Sequence, residues 1–132
     1  MNISTLMTYP VLRIDKDSTA QEAAEVMGRE HVGSLLVRRR GEDIGIITER
    51  DIISKIISRR GDLEETKVKD IMSKPLVTVD RDTTGEDAIR TMVENDVRRL
   101  PVTDKGRIIG IFTTSDVTKL VAMKFEKKDC EA

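Results

Sequence analysis

The chain contains itself twice. Shifted by 65 positions, Met7–Ile56 falls on Met72–Val121 without a gap. Identical pairs recur at Pro10/Pro75, Asp15/Asp80, Thr19/Thr84, Ala23/Ala88, Met27/Met92, Val32/Val97, Val37/Val102 and Gly41/Gly106. The densest match closes each copy: Ile44-Gly45-Ile46-Ile47-Thr48-x-x-Asp51 returns as Ile109-Gly110-Ile111-Phe112-Thr113-x-x-Asp116. An internal repeat constrains the fold before any other feature, because each copy must be one structural unit. Copies of roughly 55–65 residues are marginal as isolated folds. The expectation is two repeats sharing one body, with any site present as two related copies.

Each copy reads strand, helix, strand, strand, helix. In the first, Val11–Ile14 forms a short strand after Pro10. Ser18 and Gln21 then fit a capping box, and Ala20, Ala23, Ala24 and Met27 follow helical spacing as a buried stripe. The second copy offers Leu76–Val79, then Thr83 with Glu86, then Ala88, Ile89 and Met92. A hairpin follows in each. Ser34–Val37 turns at Arg40-Gly41 and returns over Ile44–Ile47; Leu100–Val102 turns at Asp104-Lys105-Gly106 and returns over Ile108–Phe112. Both turns place a glycine where positive φ is needed. Pro101 has no amide donor, so its strand should be an edge, or Pro101 should start it. The closing helix of copy one, Glu49–Arg60, should bury Ile52, Ile53, Ile56 and Ile57 and stop at Gly61. Its partner should run from Ser115 to about Met123. The resulting division is repeat 1 over 6–60, a linker over 61–70, repeat 2 over 71–123 and a polar C-terminal tail over 124–132.

Composition removes several classes of function. Acids number 24 and bases 23, for a net charge of −1, which gives no electrostatic case for nucleic acid. Tyr9, Phe112 and Phe125 are the only aromatic residues, too few to stack single-stranded bases. No apolar run approaches a membrane span, and Met1–Thr5 lacks the basic start and apolar core of a signal peptide. A cytoplasmic location is expected. The single cysteine, Cys130, excludes an internal disulfide and a cysteine-based metal cluster. No Walker A loop, Gly-x-Gly-x-x-Gly loop or Gly-x-Ser-x-Gly elbow is present. The only histidine, His31, reads as a surface residue at a helix end. No nucleophile–base pair, catalytic cofactor or metal site is readable, and the chain is expected not to be an enzyme.

The Gly-h-h-Thr-x-x-Asp block, where h is apolar, is the chief candidate for chemistry. A buried strand delivers a hydroxyl and a carboxylate to the start of a helix. One reading is capping: Thr48 and Thr113 cap, and Asp51 and Asp116 answer from the third helical position. The other is recognition of a vicinal diol, since acidic side chains hold ribose hydroxyls in nucleotide sites. The two readings can coexist. Arg98-Arg99 stands before the second hairpin strand, and two guanidinium forks there suit phosphate or an ordinary solvated pair. The first copy has Gly33-Ser34 instead. Arg38-Arg39-Arg40 reads as a solvated turn.

Two copies of strand–helix–strand–strand–helix, each opening near Met-x-x-Pro and closing with Gly-h-h-Thr-x-x-Asp, resemble a tandem pair of cystathionine β-synthase (CBS) domains over residues 6 to 122. The resemblance implies an α+β fold in which two β-α-β-β-α repeats pack about a pseudo-two-fold axis into one compact module. It also implies two clefts that take adenine nucleotides: AMP, ADP, ATP or S-adenosylmethionine. One cleft would use Thr48 and Asp51 for ribose, Leu76 and Val77 for backbone contacts to adenine, and Arg98 and Arg99 for phosphate. The other would use Thr113 and Asp116, then Val11 and Leu12, with Val32, Gly33 and Ser34 as its wall. The missing base in that wall predicts two sites of unequal affinity. The implied function is a sensor signalling to a separate effector protein, commonly as a homodimer through Ile52–Ile57 and Val117, Leu120 and Val121. The alternative is a structural or protein-interaction module with vestigial clefts.

Overall fold

A computed structural model describes the backbone of residues 1–131 and the side chains through residue 126. The chain packs as two units that do not follow the order of the repeats. Leu12–Leu76 makes a middle unit, and Met1–Val11 joins the residues from Val77 onward in an outer unit.

The middle unit contains β1 (Arg13–Asp15), α1 (Ala20–Glu30), β2 (Ser34–Arg39), β3 (Glu42–Thr48), α2 (Glu49–Lys55) and α3 (Val68–Ile71). Its sheet has the order β1-β2-β3, with β1 parallel and β3 antiparallel to β2. Ala20, Ala23 and Met27 of α1 share a core with Leu35, Val37, Ile47, Ile52, Ile56, Val68 and Ile71. Ala24 is half-buried at the stripe's edge. The helix cap lies one residue later than expected. Thr19, not Ser18, accepts from the Glu22 N–H, and Glu22 answers in a capping box. Ser18 is committed elsewhere: its N–H donates to the Asp15 carbonyl and its carbonyl accepts from Val68. The hairpin turns through Arg40 (φ 49°) and Gly41 (φ 81°), the paired positive values of a two-residue turn matched to strand twist.

α2 is shorter than the apolar pattern suggests. It stops at Lys55, a 3-10 turn spans Ile57–Arg59, and the Gly61 N–H closes on the Ile56 carbonyl at 2.8 Å. Ile52 and Ile56, one turn apart, face the core. Ile53 and Ile57 are instead 59% and 52% exposed, because they sit one position round the same helix.

The segment expected to be a linker belongs to this unit. The Leu63 and Thr66 carbonyls accept from Gln21 and Ala20, which would otherwise be orphan donors at the start of α1. Val68 and Ile71 are buried.

The outer unit contains β4 (Val79–Asp80), α4 (Gly85–Asn95), β5 (Arg99–Asp104), β6 (Arg107–Thr113) and α5 (Thr114–Glu131). The sheet order β4-β5-β6 repeats that of the middle unit. Ile3, Ala88, Met92, Leu100, Val102 and Phe112 form its core. Ile89 is half-buried. Thr84, again one residue later than expected, caps α4 by accepting from Asp87. The N-terminal segment plays the part taken by residues 66–76 in the middle unit. The Met1 carbonyl accepts from Gly85 as Thr66 accepts from Ala20, and Ile3 donates to Thr83 as Val68 donates to Ser18. Each repeat is therefore completed by the segment that precedes the other repeat. α5 continues to Glu131, past the expected end near Met123; the Cys130 side chain lies outside the described residues.

Pro101 departs from expectation as well. It lies inside β5, the central strand, opposite Ile111. In the middle unit the equivalent Leu36 donates its N–H to the Leu12 carbonyl at 3.0 Å, and β1 begins at Arg13. Pro101 has no N–H to give. β4 accordingly begins only at Val79, and the first rung beyond Pro101 joins Val79 to Val102.

Candidate functional site

Both Thr-x-x-Asp pairs stand where the returning hairpin strand becomes a helix. In the middle unit Thr48 ends β3 and caps α2. Its Oγ1 accepts from the Asp51 N–H at 3.1 Å, and Asp51 Oδ2 accepts from the Thr48 N–H at 3.0 Å and from Oγ1 at 3.1 Å. In the outer unit Asp116 Oδ2 accepts from the Thr113 N–H at 2.9 Å and from its Oγ1 at 3.3 Å. Asp51 is 6% and Asp116 1% exposed, the buried charged residues of the described chain. Buried carboxylates are tolerated only when hydrogen-bonded, and these are. The capping box is complete at Thr48 and Asp51, and at Thr113 and Asp116 its carboxylate half is formed.

The motif glycine has a separate reason. A Cβ on Gly45 would meet Met72 Sδ at 2.7 Å and the Ser73 carbonyl at 3.0 Å, and one on Gly110 would meet the Thr8 carbonyl at 3.1 Å. Each glycine admits the segment that runs antiparallel to its strand: Ser73 bridges Ile46, and Thr8 bridges Ile111. That segment is the Met-x-x-Pro opening of a copy, and its prolines, Pro10 and Pro75, both follow cis peptide bonds. The hydroxyl residue beside the carboxylate, Ser73, was not singled out from the sequence. The signal that could have found it is Met-Ser against Met-Thr at matching positions of the two copies.

The remaining candidate residues divide between the units. Leu12, Val32, Gly33, Ser34 and Leu76 share the middle unit with Thr48 and Asp51. Ser34 pairs with Thr48, and the Gly33 carbonyl accepts from Glu49 at 3.0 Å. Val11, Val77, Arg98 and Arg99 share the outer unit with Thr113 and Asp116. Arg99 pairs with Thr113, and the Arg98 carbonyl accepts from Thr114 at 3.2 Å. The arginines thus flank Asp116 in strand register at the position where Gly33-Ser34 flanks Asp51. Arg98 is exposed and Arg99 half-buried.

Other candidates fall away from these pairs. His31 is exposed and closes α1 in the left-handed region (φ 56°). Arg38–Arg40 are exposed at the opposite end of the hairpin. There an open depression of about 710 Å³ is lined by Asp15, Lys16, Asp17, Arg39, Arg40 and Glu42. Its acids and bases balance, so it has no preference for an anion or a cation. Among the described residues no His, Cys, Asp and Glu cluster could hold a metal ion, and no helix is long and apolar enough to cross a membrane.

Comparison with known families gives two matches to the CBS domain, over residues 3–58 and 68–123. The chain is a tandem pair of CBS domains. The matched spans coincide with the two copies and take in the segments that carry Ile3 and Val68. A CBS domain-containing protein of Bacillus subtilis, YhcV, is 32% identical over 88% of this chain and 82% of its own. An uncharacterized protein of Methanopyrus kandleri is 40% identical over 77% of this chain, which spans only 53% of that relative. Among solved structures, a hexameric CBS-CP12 protein from bloom-forming cyanobacteria superposes with a TM-score of 0.85 at 31% identity, over 89% of this chain and 66% of that one. The CBS pair therefore occurs both in proteins of about this length and as part of longer ones.

Proposed function

We propose that this CBS pair is a non-enzymatic regulatory module that binds an adenine nucleotide through its Thr-x-x-Asp carboxylates and passes occupancy to a separate effector protein. The observation that carries the reading is Asp116. Its Oδ2 is fixed by Thr113, while among the described residues its Oδ1 has one cation near it, Lys119 Nζ at 3.6 Å. A carboxylate with one anchored oxygen and one available oxygen suits a ribose diol, and the arginines in register beside it suit phosphate. Val77 supports the adenine part, because Pro101 cannot donate to its carbonyl as Leu36 does to Leu12. A ligand regulates only by binding two conformations unequally, so signalling requires an effector that senses the difference.

Isothermal titration with AMP, ADP, ATP and S-adenosylmethionine tests the reading. Saturable heat with at least one is expected, and Asp116→Asn should weaken it about tenfold or more through loss of charge-assisted bonds. No heat from any of the four would overturn it.

A second reading, a structural or interaction module with vestigial sites, is favoured by Asp51, whose oxygens are fully engaged within the protein. It predicts no thermal stabilisation by any nucleotide, since a ligand of the native state must raise stability. Self-association belongs to either reading. Ile53, Ile57, Val121 and Phe125 are exposed, whereas Leu120 is buried against Gly85 and Val117 packs on the core. A dimer that covers these residues should dissociate in Ile53→Asp by sedimentation.

A further inference from the structure

The two carboxylates differ in what holds them. Ser73 Oγ donates to Asp51 at 3.1 Å from Oδ1 and 3.3 Å from Oδ2. Lys55 Nζ lies 3.0 Å from Oδ1. With the Thr48 N–H and hydroxyl, four donors converge on this carboxylate. A carboxylate offers about four acceptor directions, so Asp51 has none left for another hydroxyl.

Thr8 is the counterpart of Ser73, and its backbone holds the same register. It exchanges bonds of 2.9 and 3.0 Å with Ile111, as Ser73 exchanges bonds of 2.8 and 3.0 Å with Ile46. Yet among the described residues no hydrogen bond joins the Thr8 hydroxyl to Asp116.

We propose that the Ser73 hydroxyl is a built-in competitor for Asp51, a latch that a ribose diol must displace, and that Asp116 carries no such latch. The proposal rests on the reading of these carboxylates as ribose acceptors. Release asks little of the fold. Ser73 is exposed, its backbone stays paired to Ile46, and rotation about Cα–Cβ returns its hydroxyl to water. The cost falls on the ligand, which must replace a hydrogen bond to a buried charge. The Asp116 copy therefore fills first and the Asp51 copy only at higher concentration, the order that the arginines in register beside Asp116 also favour. Ser73 is a positioning residue here, acting on the ligand through Asp51.

The test is titration of the full chain with the tightest binder among AMP, ADP, ATP and S-adenosylmethionine, and with the same compound lacking its 2′- and 3′-hydroxyls. Ser73→Ala should tighten the weaker ribonucleotide site about tenfold or more, the worth of one hydrogen bond to a charged group. It should leave the dideoxy compound unchanged, and the gain should vanish in Asp51→Asn/Ser73→Ala. Thr8→Ala should change nothing. Native binding with no gain in Ser73→Ala overturns the latch and leaves the nucleotide reading standing. A gain equally large for the dideoxy compound also overturns the latch. Absence of binding in native and variant protein overturns both.

Discussion

Single glycines report how closely the chain approaches itself. Gly45 faces the fixed Ser73 carbonyl as well as the movable Met72 side chain. Gly45→Ala should therefore destabilise by about 1–3 kcal/mol, the usual cost of overpacking, and Gly110→Ala likewise. Gly28, inside α1, has nothing within 4 Å of an added Cβ. Gly28→Ala should stabilise by roughly 0.5–1 kcal/mol, because alanine loses less backbone freedom. Thermal denaturation of the three variants checks the sign as well as the size. Pro101 supports a different measurement. Pro101→Leu restores the residue type and the N–H of the other copy, so its new amide should pair with Val77. Hydrogen exchange at position 101 should then be slowed to the rate of Leu36. An unprotected amide would mean that the shortening of β4 has another cause.

At the level of elements, the hairpins and the apolar stripes were legible. A glycine needing positive φ and a run of alternating apolar residues leave few alternatives. The helix starts were less so. Ser18-Thr19 and Thr83-Thr84 each offer two adjacent capping residues, and only the path of the neighbouring backbone decides between them. The closing helix of copy one is shorter than its four isoleucines suggest, because a helix this short can bury only one face. The Thr-x-x-Asp residues were legible as a motif. The donors around them were not, since Ser73 and Lys55 come from outside its spacing. Between helices, Lys124 of α5 bonds Glu86 of α4 and holds that carboxyl below its ordinary range. A depressed folded value contributes stability above the ordinary value of 4.5, and that contribution is lost as pH falls through the folded value. Lys124→Ala should lower the melting temperature slightly at neutral pH, not at strongly acidic pH, and less in high salt because both groups are exposed.

For the whole molecule, the units interleave along the chain. The sequence could not disclose this, because the shift of 65 positions relates the segments 1–11 and 66–76 whichever copy each one completes. The arrangement has a measurable outcome. A fragment of residues 12–76 contains every element of the middle unit and should show native-like helix and sheet signals by circular dichroism. A fragment beginning at residue 77 lacks Ile3 from its core and Met1 from the start of α4, and should remain unfolded until a peptide of residues 1–11 is added. Cutting instead within 61–66 should damage the middle unit, whose first helix takes two carbonyls from that stretch.

The same interleaving sets an order in time. During synthesis residues 1–11 leave the ribosome before the residues they pack against. The middle unit has all its strands and helices once residue 76 has emerged, so it can close while the chain is still growing. The opening segment must wait, with Ile3 uncovered, until β6 and α4 exist. A nascent chain stalled once residue 76 has cleared the ribosome should therefore resist protease over residues 12–76 and be clipped within residues 1–11.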